Sequence, residues 1–368
     1  MDRIPSIFNI KGMQKNAKIS LATGIVISLV AFYFAFKNVP LNELLNYLSS
    51  INYLWLFPSV FVIFISFLLR AFRWMLILEP ASKISLWKAF HPLMIGFMLN
   101  CILPGRVGEL ARPAILQKKE NVPFSTGLAT VVAERIFDSG ILIILFGAML
   151  AYIDIDPRLS ISFGKYDLNR ETLVSIGGNI FRLIIIFIAG IILFSFSSIR
   201  QAVKWTINKI PSLFSFKSVS LKNKIQKFCA SLICFADNLS TGFSFINYPK
   251  KICICIGLSF IIWVLSAFSF YIIALGCPGI RLSYLELFAV MIIICFFIAL
   301  PSVPGFWGIW EAGGIFALSL FGISAKEAAG FTLVSHAIQI FPVIIIGIIS
   351  AMLSGVDTLQ ILKERRNI

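Results

Sequence analysis

Long apolar runs, each about the length an α-helix needs to cross roughly 30 Å of hydrocarbon, dominate this chain. Ile19 to Phe36, Leu54 to Leu69, Leu128 to Ala151, Ile180 to Phe196, Ile252 to Ala274 and Phe331 to Leu353 each read as one crossing. Of 368 residues, 58% are hydrophobic and only 13% charged, more apolar surface than one soluble core could hide, so lipid must be the solvent. The expected fold class is an all-α polytopic membrane protein, one membrane domain over residues 1–368, with about six full transmembrane helices. The first run is long and lacks a small-residue cleavage site, so it reads as a retained anchor.

The formal charge of +15 is spread as an orientation signal rather than as a nucleic-acid surface. Lys11, Lys15 and Lys18 precede the first run, and Arg200 to Lys251 carries nine basic residues against one acid, Asp237. Tyr152 to Asn179 has no basic excess. Both termini are therefore expected in the cytoplasm, in a multi-pass protein of the cytoplasmic (inner) membrane whose basic face meets anionic lipid headgroups. The segment 199–251 reads as a basic amphipathic connection, with Trp205, Ile207, Ile225 and Phe228 available for its apolar side. The cysteines are scattered and only two histidines occur, so no disulfide framework, metal site or cofactor is expected.

Two further apolar stretches, Trp87 to Leu103 and Leu285 to Leu300, break at Pro-Gly loops where a helix should continue. The first reads Pro104-Gly105-Arg106-Val107-Gly108-Glu109 and the second Pro304-Gly305-Phe306-Trp307-Gly308, with Glu311 three residues on. Both are PGxxG followed by a glutamate, and each leads through a short connector into a long apolar helix. One such motif is weak punctuation. Two in equivalent places predict a repeat, about 54–151 and about 252–353, with each break a re-entrant or broken helical hairpin. Three crossings between the copies would invert one against the other, a construction in which irregular backbone lines a cavity between two halves.

The polar residues of these segments are the candidate substrate-binding set. Arg106, Glu109 and Arg112 recur at three-residue spacing and share a face if a helix starts at Gly108. Gly105 and Gly108 would let backbone amides meet a phosphate, with arginine as a bidentate fork. Glu134, Arg135 and Asp138 sit inside an apolar run, where charge marks either function or internal pairing. Arg135 is expected to neutralise Glu109 or Glu311, or to face the substrate. His336 stands in the second copy near the position of Arg135. Glu311 is either a proton or cation site or a cap for the half-helix beginning beside it. Arg70 is expected to snorkel to the interface, and Arg73 to join the headgroup site.

Leu69-Arg70-Ala71-Phe72-Arg73-Trp74, the PGRVGELARP run from Pro104 to Pro113, Ala133 to Asp138, and Pro304 through Glu311 resemble the membrane region of lysylphosphatidylglycerol synthases and their stand-alone flippase-like relatives. That resemblance implies a module that moves a phosphate-bearing lipid between leaflets. The synthases carry an aminoacyl-transfer domain beyond that region, whereas this sequence ends at Ile368, so no lipid aminoacylation is expected. The expectation is a non-enzymatic lipid flippase whose partner is its lipid substrate, with self-association left open. The alternatives are a membrane-embedded enzyme acting on a lipid phosphate, with Glu134 or Asp138 as base, and an accessory subunit of an envelope-lipid pathway.

Overall fold

The computed structural model describes residues 25–37, 39–104, 106–152, 161–163, 166–168, 219–300 and 303–356, with isolated positions between 175 and 209. Most of the expected crossing Ile180 to Phe196, and the loop residue Gly105, lie outside the described residues.

Helix α1 (Ile25–Phe36) bends by 81° into α2 (Leu41–Ser50). One 3-10 turn then leads into α3 (Leu56–Leu78). This helix runs nine residues past the end of its apolar run at Leu69, carrying Arg70, Arg73 and Trp74 into the packed interior. The first broken element is α4 (Leu86–Ile102) with α5 (Val107–Glu120), followed by α6 (Phe124–Tyr152). A short antiparallel hairpin, β1 (Ile161–Phe163) on β2 (Tyr166–Leu168), is the one departure from helix among the described elements. The basic connection holds α7 (Val219–Gly242) and leads into α8 (Pro249–Gly276), which opens on a proline, whose missing amide costs nothing there. The second broken element is α9 (Tyr284–Phe297) with α10 (Ile309–Ser319), followed by α11 (Ala325–Leu353).

Three segments are long and apolar enough to cross a membrane: Tyr53–Leu78, Pro249–Gly276 and Ala325–Leu353. Their outward faces carry exposed Phe57 and Phe61, Ile254 and Phe260, and Phe341 and Ile345. An apolar belt of this extent belongs against lipid tails. Phe228 of α7 is exposed. The buried side begins at Cys229, and Gly242 lies against Thr126 and Ala129 of α6.

The two broken segments share local geometry. In each, a short helix follows a Pro-Gly-X sequence whose third residue, Arg106 or Phe306, has a left-handed backbone with φ of 52° or 63°. Each ends at a left-handed residue, Asn121 or Gly322, before a helix of 29 residues. The packing pairs correspond as well. Helix α3 lies on α4 as α8 lies on α9, α5 joins α4 to α6 as α10 joins α9 to α11, and α3 and α8 pack on each other. Gly108 is required by a close approach, since a Cβ there would run into the Gly96 carbonyl on α4.

Candidate functional site

Extending α3 to Leu78 places two arginines opposite the charged turn of α6. Glu134 and Asp138 are one turn apart on one face, as their spacing predicts, and both are buried. Arg73, fully buried, donates from Nη1 to Asp138 Oδ1 at 2.6 Å and to Ser259 Oγ of α8 at 2.6 Å. Its Nη2 lies 3.5 Å from Glu134 Oε1. Arg112 of α5 donates to the other Glu134 oxygen at 2.5 Å, and its guanidinium lies over the Trp74 ring at 4.0 Å. Trp74 in turn donates from Nε1 to Thr130 Oγ1 at 3.0 Å. Arg70 lies 3.5 Å from Asp138 Oδ2 and over the Trp263 ring at 5.3 Å. It is therefore an internal ion-pair partner, not the interfacial residue its place at the end of an apolar run suggests. One charge network thus ties α3, α5, α6 and α8 together.

The network opens at one edge. Arg135 lies 3.6 Å from Asp138 Oδ2 and 3.9 Å from Glu109 Oε1, with its side chain 35% exposed and that of Glu109 28% exposed. Four arginines (70, 73, 112 and 135) therefore face three carboxylates (109, 134 and 138), leaving an excess positive charge among the described residues. The Nε groups of Arg73, Arg112 and Arg135 find no hydrogen-bond acceptor among the described residues. Arg106, exposed at the start of α5, adds a further cation. Of the two alternatives for Arg135 on carboxylates, the geometry selects Glu109 over Glu311.

Glu311 and His336 form a separate, fully buried pair in the second half. His336 Nδ1 lies 2.5 Å from Glu311 Oε1, and Nε2 lies 2.8 Å from the Gly305 carbonyl. The other Glu311 oxygen accepts from the Gly308 amide at 2.6 Å, so the carboxylate caps α10 and binds the histidine at once. The imidazole stacks on Trp310, parallel within 3° at 4.6 Å, and its centre lies 4.4 Å from that of the Trp307 ring, which is tilted by 48°.

The tips of the two broken segments meet. Arg106 Nη2 donates to the Ile298 carbonyl at the end of α9 at 3.0 Å, and a Cβ on Gly305 would sit 3.2 Å from the Cys101 carbonyl at the end of α4. The structure thus joins Arg73, Arg112, Glu134 and Asp138, sets Arg135 and Glu109 at their edge, and keeps Glu311 with His336 apart. The Gly108 amide, expected to face a ligand, is taken by Asn100 Oδ1 at 2.8 Å. Sequence reasoning missed Asn100, Ser259 and the pair of tryptophans. A polar side chain in the last turn before a Pro-Gly break, or in an otherwise apolar helix, was the available signal for the first two. Among the described residues no three His, Cys, Asp or Glu side chains are grouped to hold a metal ion.

Fold and site together define a multi-pass integral membrane protein with a buried charge network beside two helix breaks. The chain belongs to the family described as the lysylphosphatidylglycerol synthase TM region, whose model matches residues 21–347. It is similar to a UPF0104 membrane protein of Methanocaldococcus jannaschii, 27% identical over 73% of this chain and 98% of that one. A UPF0104 membrane protein of Methanothermobacter thermautotrophicus is 25% identical over 91% of this chain and 92% of its own length. The glycosyltransferase AglD of Haloferax volcanii is 21% identical over 92% of this chain, which spans 54% of that protein.

Proposed function

We propose that the protein moves a lipid with a phosphate-bearing headgroup between the leaflets of the cytoplasmic membrane, without chemical change to the lipid. The observation that carries this reading is the excess positive charge of the network at its open edge. A buried network built only for stability would balance its charges, because an uncompensated ion in a low-dielectric interior costs several kcal/mol. An excess guanidinium with an open side is the complement of a phosphate oxygen. Arg135 and Arg106 are the residues that would meet the headgroup first. Phospholipids, aminoacyl-phospholipids and polyprenyl-phosphate lipids all present that group.

Transport between leaflets also needs access from both sides. The corresponding packing pairs, the equal 29-residue helices and the left-handed residues at matched positions support an inverted repeat, about 54–151 against about 252–353. Hairpins entering from opposite faces would meet tip to tip, as Arg106 on Ile298 suggests. In this reading α6 is a further crossing, about six full helices span the membrane, and both termini face the cytoplasm.

The similarity to a protein named a glycosyltransferase gives the second reading, a membrane enzyme acting on a lipid phosphate. Glu134 and Asp138 are poor bases for it, since arginines already hold both carboxylates. Mass spectrometry of lipids retained through gentle purification tests the transport reading. A phosphate-bearing lipid should be retained by the native protein and lost when Arg106 and Arg135 are both changed to Gln. Equal retention by the variant, or retention of neutral lipid alone, would refute it.

A further inference from the structure

The polar contacts of His336 fix how many protons it shares with Glu311. The Gly305 carbonyl can only accept, so the Nε2 at 2.8 Å must carry a hydrogen. Glu311 Oε1 lies 2.5 Å from Nδ1, while Oε2 is occupied by the Gly308 amide. A bare Nδ1 against a carboxylate would set two lone pairs against each other, so one proton must lie between them. Neutral histidine with a carboxylate is one proton short of this geometry. The added proton also brings the pair from a net charge of −1 to zero, the state that full burial favours. The Trp310 face, parallel to the imidazole, favours that charge on the ring, because a cation stacked on indole is stabilised by its quadrupole.

Charged side chains on the surrounding elements are engaged elsewhere. Glu286 caps α9 through Ser283, Lys326 lies 3.9 Å from Glu43, and Glu327 accepts from Ser324. Lys88 of α4 pairs with Glu120 and Lys251 of α8 with Glu79. Lys250, also in the first turn of α8, is 20 residues from Phe270, which contacts Trp310, and so about 30 Å along the helix from it. Arg106 donates from Nη2 to the Ile298 carbonyl and is exposed. Tyr33 of α1, Lys37 just past its end, Arg70 and Arg73 of α3, His91 and Cys101 of α4, Tyr271 of α8 and Cys295 of α9 also stand on neighbouring elements, and among the described residues none is hydrogen-bonded or ion-paired to Glu311 or His336.

We propose that Glu311 and His336 form a proton-binding site, with His336 held as imidazolium and Glu311 as carboxylate, and that this proton locks the second Pro-Gly hairpin onto α11. The lock joins three points: the Gly305 carbonyl, the Gly308 amide and His336 on α11. When the proton leaves to water, either the Gly305 bond or the Glu311 bond must break, since one hydrogen cannot serve both acceptors. Gly305 rests on Cys101 of α4, so release reaches the tip of the first hairpin. The coupling of that release to lipid movement rests on the transport reading above; the proton site itself does not.

The test uses the full chain in nanodiscs of phosphatidylcholine and phosphatidylglycerol, labelled with 15N-histidine. The sequence has two histidines, so His91→Gln assigns the His336 resonances. At neutral pH both ring nitrogens of His336 should carry a hydrogen, and Glu311→Gln should leave one bare while keeping an acceptor for Gly308. Hydrogen exchange of residues 303–311, corrected for intrinsic rates, should accelerate about tenfold from neutral to alkaline pH, as expected for one buried hydrogen bond lost. Glu311→Gln and His336→Arg should abolish that pH response. A bare ring nitrogen in the native protein, or a pH response that survives in Glu311→Gln, would overturn the proposal. Neither readout needs lipid to move. An imidazolium in a protein that does not translocate labelled phosphatidylglycerol would therefore count against the transport reading and for the proton site.

Discussion

Replacing Arg73 by Met keeps much of the side-chain length and removes the cation at the centre of the charge network. Arg73 is fully buried and satisfies Asp138 and Ser259 at 2.6 Å each, with Glu134 at 3.5 Å. Removing one member of a buried ion pair costs about 3–5 kcal/mol, because the partner charge is left uncompensated. Here Asp138 keeps Arg70 at 3.5 Å and Arg135 at 3.6 Å, and Glu134 keeps Arg112. The expected loss therefore lies at the lower end, about 3 kcal/mol. The Lys88–Glu120 pair, with the lysine side chain 56% exposed, supplies the contrast, and Lys88→Ala should cost under about 1 kcal/mol. Both are read from reversible unfolding in detergent micelles, calibrated on the native protein. The double variant Arg73→Met with Asp138→Leu should recover about 1–3 kcal/mol relative to the sum of the single changes. An Arg73→Met loss no larger than that of Lys88→Ala, or strict additivity in the double variant, would refute the argument that these charges depend on one another.

Gly108→Ala should destabilise the first hairpin by about 1–3 kcal/mol, as overpacking does, because its methyl would meet the Gly96 carbonyl; thermal unfolding of the purified variant measures it. Trp74→Phe should cost about 1–2 kcal/mol through loss of the Nε1 bond to Thr130 and a weaker face for Arg112, read by the same assay. Arg135→Gln should leave stability within about 0.5 kcal/mol, since the side chain is partly exposed and its ion pairs lie at 3.6 and 3.9 Å, while lowering retention of phosphate-bearing lipid.

Much of this arrangement is legible in the residues, and the misses share a physical cause. Glu134 and Asp138 share a face because four residues make about one helical turn, which the sequence alone supplies. The helix that meets them was harder to see. Hydropathy ends its apolar run at Leu69 because guanidinium groups are costly in lipid, yet α3 continues to Leu78. The charges that make this tolerable sit on α6, 65 residues beyond Arg73, and no local pattern reports such a pairing. The same holds for Ser259, 186 residues from Arg73. At the second break, Pro304, Gly305, Gly308 and Glu311 mark the site by their pattern. That Trp307 and Trp310 contact His336 depends on how α10 meets α11, which the motif does not state. The left-handed backbone at Arg106 and Phe306 is local and follows the repeated motif.

The transport reading is tested most directly by lipid translocation in vesicles. The native protein, reconstituted in phosphatidylcholine with a trace of fluorescent phosphatidylglycerol, should expose inner-leaflet label to a membrane-impermeant quencher faster than protein-free vesicles do. Changing Arg106 and Arg135 together to Gln should return the rate towards that background, while a fluorescent diacylglycerol with no phosphate should show no difference between native and variant protein. Native protein that moves no phosphate-bearing lipid, or a double variant that moves it as fast as the native chain, would contradict the account.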